Sequence, residues 1–230
     1  MMNASKCILV GAQTRISTMW KAHAKRLQAV LAPLTAMLLI LGATGCASGG
    51  HHFNFAAADS LELGQMQSSD YRNVFGNKPT AYQKKSTSDG QFEIARYEYA
   101  FADMSTTEMR VLILEFKDGN LNAFQHLSSF NADKTAAPVG NADQIKQGVS
   151  TKDDVLGILG KPNGRAKCPT LLQDFKGLCD KGAEVWNWKG MKKLSTWVAA
   201  YGGGRAKVQS VSIVFDANGK VLEVETNEAH

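Results

Sequence analysis

Beyond residue 60 the chain shows the same succession of patterns twice, a short helical stripe followed by runs of strand periodicity. In the second succession Val155, Ile158 and Leu159 stand at i, i+3 and i+4, which is one apolar face of a helix. Ser150 or Thr151 can cap its start, and Asp153 and Asp154 occupy the first turn, where the helix dipole favours acids. Gly160 ends that helix and Pro162 prevents its continuation. The first succession has Tyr71, Val74 and Phe75 on the stripe and Gly76 at the stop. Its cap must come from Ser68 or Ser69, so this helix is expected to be the less regular one. Three strands follow each helix, at 91–101, 108–116 and 121–127, then at 183–189, 207–215 and 220–226. Tyr97, Tyr99 and Phe101 alternate, while Phe92 and Ile94 have the opposite phase, which predicts a bulge near Ala95. Val211, Ile213 and Phe215 share one face, and Leu222 and Val224 share one on the next strand. Asp118-Gly119 and Asn218-Gly219 mark the hairpin turns. Helical matter followed by an antiparallel meander, twice, predicts an α+β fold of two tandem ααβββ units, each a helical segment on its own three-stranded sheet.

The repeat extends to individual residues. Leu61-Glu62-Leu63-Gly64 matches Ile145-Lys146-Gln147-Gly148, Tyr71 matches Val155, Phe75-Gly76 matches Leu159-Gly160, and Lys78-Pro79 matches Lys161-Pro162. The expected boundaries are a first unit at 61–130, a linker at 131–144 and a second unit at 145–230. The segment from Ile145 to Pro162, with its Gly148, cap, apolar stripe and Leu159-Gly160-Lys161-Pro162, resembles the signature of the SmpA/OmlA (BamE-like) family of outer-membrane lipoproteins. Val214-Phe215-Asp216-Ala217-Asn218-Gly219-Lys220-Val221 is similar to the hairpin of that family. The resemblance implies a role in envelope or β-barrel outer-membrane protein assembly. The family usually carries one such unit, and the two-unit layout here is also similar to that of secreted β-lactamase inhibitor proteins, whose sheets form one concave binding surface. The matching residues are turn, stop and core positions, and they transfer no binding site.

Upstream the pattern is different. Residues 27–45 carry no charge, Lys21, Lys25 and Arg26 precede them, and Leu41-Gly42-Ala43-Thr44-Gly45 leads directly into Cys46. A basic region, an apolar region and a small-residue cleavage site make a secretory signal. The apolar core is short for a span of ~20 residues. With cysteine first after the cleavage site, the segment resembles a bacterial lipobox, which implies removal of 1–45 as signal peptide and acylation of Cys46. Residues 46–60 are expected to be a lipidated tether. Ala47 and Ser48 follow the cysteine, with no Asp there, which resembles the outer-membrane-directed situation, the domain facing the periplasm.

The leader also changes the charge balance. The chain has 26 basic and 21 acidic residues and a net charge of +5. Lys6, Arg15, Lys21, Lys25 and Arg26 all lie in the leader, which has no acidic residue, so the remainder is neutral. No nucleic-acid partner is expected. Of the four cysteines, Cys7 is in the leader and Cys46 is the lipid site. Cys168 and Cys179 remain, for which a disulfide is the default in an exported chain; a free pair and a metal site are the alternatives.

No constellation reads as an active site, and no cofactor or metal is expected. Asp153 and Asp154 are adjacent on a helix and do not face each other. His126 has no second ligand at useful spacing, His51-His52 reads as a solvated pair, and Ser128-Ser129 lacks a paired base. Gly202-Gly203-Gly204 lacks the ending of a phosphate loop. Aromatic side chains cluster instead. Trp186 and Trp188 lie two apart on a strand, and Trp197 and Tyr201 follow in a connection with Lys192, Lys193 and Arg205. Such groups are enriched at interaction hot spots, so these four are the candidate partner-binding residues, with core packing the competing role for the first two. The expectation is a non-enzymatic binding or scaffold module, held by membrane lipid through Cys46 and meeting a protein partner of the bacterial envelope. The alternative is an inhibitor-like binder of a periplasmic enzyme or a cell-wall ligand.

Overall fold

Apolar residues at every second position and tight glycine turns carry much of the described chain into antiparallel sheet. The computed structural model describes residues 47–103, 105–133, 135–195 and 208–228, all within one compact unit, Cys46–His230. The strands are β1 (Ala47–Gly50), β2 (Ala81–Thr87), β3 (Gly90–Ala102), β4 (Thr106–Lys117), β5 (Asn120–Ser128), β6 (Gly164–Lys167), β7 (Glu184–Met191), β8 (Leu194–Ser195), β9 (Val208–Phe215) and β10 (Val221–Glu228). Three helices accompany them, α1 (Tyr71–Phe75), α2 (Lys152–Leu159) and α3 (Gln173–Cys179), with 3-10 turns at Phe55–Ser60 and Val139–Gln144. All ten strands join one sheet in the order β1-β3-β4-β5-β6-β7-β9-β10, with β2 also on β3 and β8 on β4.

This continuous sheet corrects the expected tandem of ααβββ units. The four-residue β6 is the reason. It pairs with β5 through Ala123↔Ala166 and Gln125↔Gly164, and with β7 through Gly164↔Asn187 and Lys167↔Glu184. Neither half therefore ends in an edge strand at the junction, where unpaired backbone groups would otherwise be left. The helices do not come as pairs on separate sheets either. The cross-strand registers Tyr97↔Leu112, Leu114↔Phe124, Phe124↔Arg165 and Arg165↔Trp186 define one face, here the first face. On it α1 packs Tyr71 and Phe75 against Tyr97, Leu112, Leu114, Phe116 and Leu121, and α2 packs Val155 and Leu159 against Trp186, Trp188, Ile213 and Phe215. On the second face α3 crosses the junction, seating Phe175 and Leu178 on Ala123, Ala166, Val185 and Val214.

The repeat survives as matching contacts within that sheet. Gly64 N–H donates to Leu121 O at 2.8 Å and Gly148 N–H to Val221 O at 2.7 Å. The Tyr97 hydroxyl donates to the Gly76 carbonyl at 2.6 Å, and the Trp188 indole to the Gly160 carbonyl at 3.2 Å. The second helix starts as its sequence predicts, with Thr151 and Asp154 forming a capping box. The first helix has Asp70 at its N-cap with no side-chain cap bond, not Ser68 or Ser69.

Two local expectations are also corrected. β3 pairs without interruption with both β2 and β4, so there is no bulge at Ala95. Phe92 and Ile94 differ in phase from Tyr97 because β3 is apolar on both faces, Ile94 packing toward α3. The bulges sit instead at Asn122 in β5 and Leu222 in β10, just after each hairpin turn. As a result Val221 and Val224 pack inward while Leu222 is 43 % exposed. Residues 47–60 are not a tether. Ala47–Gly50 pairs with Tyr99–Ala102, and Phe55 and Ala58 are buried.

Candidate functional site

The first face between the two helices is occupied by a charged seam. Arg165 on β6 meets Glu62 at 2.5 Å and Glu184 at 3.1 Å, and Lys152 from α2 meets Glu184 at 2.5 Å. The Trp186 indole donates to the same Glu184 carboxylate at 2.6 Å. Burial opposes ionisation of Glu184, but the hydrogen bonds from Lys152 and Trp186 and the charges of Lys152 and Arg165 outweigh it, holding the carboxyl below its ordinary range. The guanidinium of Arg165 also lies 5.0 Å from the Trp186 ring centroid. Every charge in this seam is met by an opposite one, so it ties α2 and the 61–64 segment to β6 and offers a partner little.

Toward the Asn163 end of the same face lies a groove of about 420 Å³ lined by Phe55, Asp59, His126, Lys161, Asn163 and Trp188, among others. His126 on β5 is buried, with Nε2 3.2 Å from Asp59 Oδ1 and Phe55 edge-on to its ring. Its Nδ1 is buried with no hydrogen-bond partner. Burial, assisted by the charge of Lys161 and opposed by Asp59, pushes the imidazole down to about 4. A neutral ring donating from Nε2 to Asp59 satisfies one nitrogen, while protonation would add a buried donor on the other. This arrangement suits packing better than proton transfer.

The second face is more open. The α3 segment is pinned by Glu115, a fully buried carboxyl that accepts from Asn122 Nδ2 at 2.9 Å, Thr170 Oγ1 at 2.8 Å and Leu171 N–H at 2.7 Å. The bulge in β5 is what turns Asn122 toward that carboxyl. The disulfide Cys168–Cys179, with Cα atoms 5.2 Å apart, closes the loop that carries α3. On either side of α3 runs a groove. One of about 730 Å³ lies over β2, β3 and β4 and includes Tyr82, Ile94, Arg96, Ile113, Gln125 and Leu172. The other, of about 460 Å³, lies over β7, β9 and β10 and includes Asn187, Lys189, Ser210, Ser212, Glu225 and Asn227. Gln173 and Asp174, at the start of α3, line both. Beneath each groove lies a buried side-chain oxygen with no hydrogen-bond partner, Gln125 Oε1 against Gly164 in the first and Asn187 Oδ1 in the second. The amide nitrogens of both residues are engaged, that of Gln125 with Asn163 O at 3.0 Å and that of Asn187 with Ser212 Oγ at 2.7 Å.

The four aromatic candidates fare differently. Trp186 and Trp188 are 3 % and 2 % exposed and belong to the core beneath α2, Trp188 adding only marginally to the lining of the His126 groove. They share the face that the helix covers, and the indole of each spends its donor inside the molecule. Trp197 and Tyr201 lie outside the described residues, as do Gly202-Gly203-Gly204, the 1–45 leader and Cys46. His51 and His52 are exposed, and the His52 ring sits 3.8 Å from that of Tyr99. Gln125, Asn187 and Gln173 were not among the sequence candidates. No local signal sets the first two apart, since β5 also carries Asn122 and His126, and β7 also carries Glu184 and Lys189.

No protein-family model matches the chain, and no curated protein matches it significantly. Among solved structures the fold is similar to that of a Streptococcus mutans protein provisionally described as a β-lactamase inhibitor protein, at 10 % sequence identity and a TM-score of 0.42. The match covers 76 % of this chain and 95 % of the other. A likeness this remote carries no argument about function.

Proposed function

We propose that the chain is exported, acylated at Cys46 and held at the periplasmic face of a bacterial outer membrane, where it works as a non-enzymatic binding module. The leader and lipobox-like segment support the address, and the resemblance of residues 145–162 to the signature of SmpA/OmlA lipoproteins supports the membrane and the envelope setting. The observation that carries the binding role is the pair of grooves beside α3, of about 730 and 460 Å³, which meet at Gln173 and Asp174. Both are open clefts lined by polar and apolar side chains together, the kind of concave surface that a partner's segment can fill. Lipid attachment raises the local concentration of the module for a membrane-associated partner.

Two kinds of partner fit. One is a component of an outer-membrane or barrel-assembly complex, with this chain as scaffold. The other is a periplasmic enzyme or cell-wall ligand, held in an inhibitor-like manner, and the grooves favour this reading because they suit an inserted segment rather than a flat contact.

Recovery of partners from solubilised membranes tests the proposal, comparing the parent chain with Cys46→Ser and with Gln173→Arg, which places a long cation where both grooves meet. The expected result is a discrete partner with the parent, and its loss with Gln173→Arg at an unchanged circular dichroism spectrum. Recovery that survives Gln173→Arg but fails with Trp197→Ala and Tyr201→Ala would assign the contact to the 191–205 connection instead. A barrel-assembly component among the recovered proteins favours the scaffold, and a periplasmic enzyme whose activity falls on binding favours the inhibitor.

A further inference from the structure

Lipoproteins that act at a distance from their membrane need slack between the acylated residue and the fold, and this chain has none. The residue after Cys46 already begins β1, whose partners are Ala47↔Ala102, Ser48↔Phe101, Gly49↔Ala100 and Gly50↔Tyr99. Covalent geometry places the Cα of Cys46 about 3.8 Å from that of Ala47. The hold continues along the chain. His51 N–H donates to Glu98 O at 3.2 Å, the His52 ring lies against Tyr99, Phe53 lies 5.4 Å from the Tyr97 ring, and Phe55 and Ala58 are buried. Gly50 lets this strand lie close: its φ is +79°, and a Cβ there would come 2.1 Å from the Glu98 carbonyl oxygen.

We propose that the module is mounted on the membrane rather than tethered to it, with the β3–β4 turn and β8 against the lipid surface. The inference rests on acylation of Cys46. β1 runs antiparallel to β3, so its first residue lies beside the last residue of β3, Ala102, and the β3–β4 turn follows at once through Asp103 and Ser105. β8 joins the same corner, Ser195 pairing with Thr106 and Leu194 with Thr107. An acyl anchor at Cys46 must draw this corner to the bilayer. The far end of β3, where Ser88 and Asp89 turn back into β2, is about 40 Å away along a strand of 13 residues. The partner for this surface is a lipid headgroup layer. Its consequence for the proposed binding role is a fixed orientation and a fixed height for the grooves beside α3.

Site-directed fluorescence on the full chain tests the mount. Ser105→Cys and Asp89→Cys each add one free thiol at an exposed turn, while Cys168 and Cys179 are consumed by their disulfide. The membrane-extracted protein is labelled and reconstituted in phosphatidylethanolamine–phosphatidylglycerol vesicles carrying a headgroup quencher. The expected result is quenching several-fold stronger at position 105 than at 89. A flexible Gly-Ser insertion between Cys46 and Ala47, which leaves the fold untouched, is expected to bring the two close together, and Gly50→Ala to do the same by releasing β1. Equal quenching at both positions in the chain without the insertion overturns the mount while membrane attachment stands. A parent chain that fractionates as Cys46→Ser does, away from membranes, overturns the mount together with the acylation it rests on.

Discussion

The two helices of the first face close the same kind of core by different means. In the first half α1 has five residues and no side-chain cap, and it is held by rings: Tyr71 lies 5.4 Å from Phe116 and 6.3 Å from Tyr97, with Phe75 buried beside them. Burial, reinforced by the neighbouring Tyr71, pushes the Tyr97 hydroxyl up to about 12, which keeps it a donor to Gly76 at any ordinary pH. In the second half α2 has eight residues, a capping box and aliphatic contacts through Val155 and Leu159, with the large rings supplied by the sheet. A helix too short and uncapped to stand alone is thus retained where aromatic area is large, and local signals matter more where it is smaller.

Deleting a ring at corresponding places tests whether the halves remain one cooperative body. Phe116 and Phe215 are both fully buried, one under each helix. Phe116→Ala and Phe215→Ala are each expected to cost about 4 kcal/mol, with urea unfolding by fluorescence and circular dichroism moving as one transition in both variants. Separate transitions for the two halves would argue that the β5–β6–β7 junction does not couple them.

A smaller effect should separate the halves by pH. His126 faces Leu112 across the strands of the first half, whereas the matching pair in the second is Thr226 with Val211. Because the folded His126 sits near 4, below its ordinary 6.5, the unfolded chain takes up a proton that the folded chain refuses. Stability from this group is complete above about pH 6.5 and is lost as pH falls toward about 4. Between pH 7 and pH 5 the loss is expected to be about 2 kcal/mol, measured by urea midpoints, and His126→Gln should remove most of that dependence. A parent chain equally stable at both pH values would count against the buried neutral ring.

The smallest difference concerns the caps. Thr151→Ala is expected to cost about 1 kcal/mol through loss of the capping box, while Asp70→Ala, where no side-chain cap bond exists, should change the urea midpoint only slightly. Equal losses would mean that α1 depends on its N-terminus as much as α2 does.

What could be read along the chain was what neighbours in sequence decide. The α2 stripe, its cap and its stop are local. So is the Asp118-Gly119 turn, where both residues adopt positive φ, 50° and 84°, as a two-residue hairpin requires. The missed elements lack such signals. β2 is exposed along nearly its whole length and carries Lys84 and Lys85 at the sheet edge, where charge is favoured and apolar alternation is not needed. β6 is Gly-Arg-Ala-Lys, too short to show a period, and α3 has no side-chain cap bond and follows Pro169. Of the candidate site, the cysteine pair was legible because an even pair eleven residues apart reads as a disulfide wherever export is expected. The amide pair Gln125 and Asn187 was not, since nothing local shows which strand amides are left with an unpaired oxygen.

The sequence by itself determined the helix stripe and stop, the hairpin turns, the pairing of Cys168 with Cys179 and six of the strands, because each depends on residues close in the chain or on chemistry that a residue carries wherever it lies. Tertiary structure decided that the two successions share one sheet, that Trp186 and Trp188 are core, and that the residues after Cys46 are bound down. These depend on which strand edge is left unpaired and which face a helix covers. Both are settled only when β6, a four-residue strand, pairs on two sides at once.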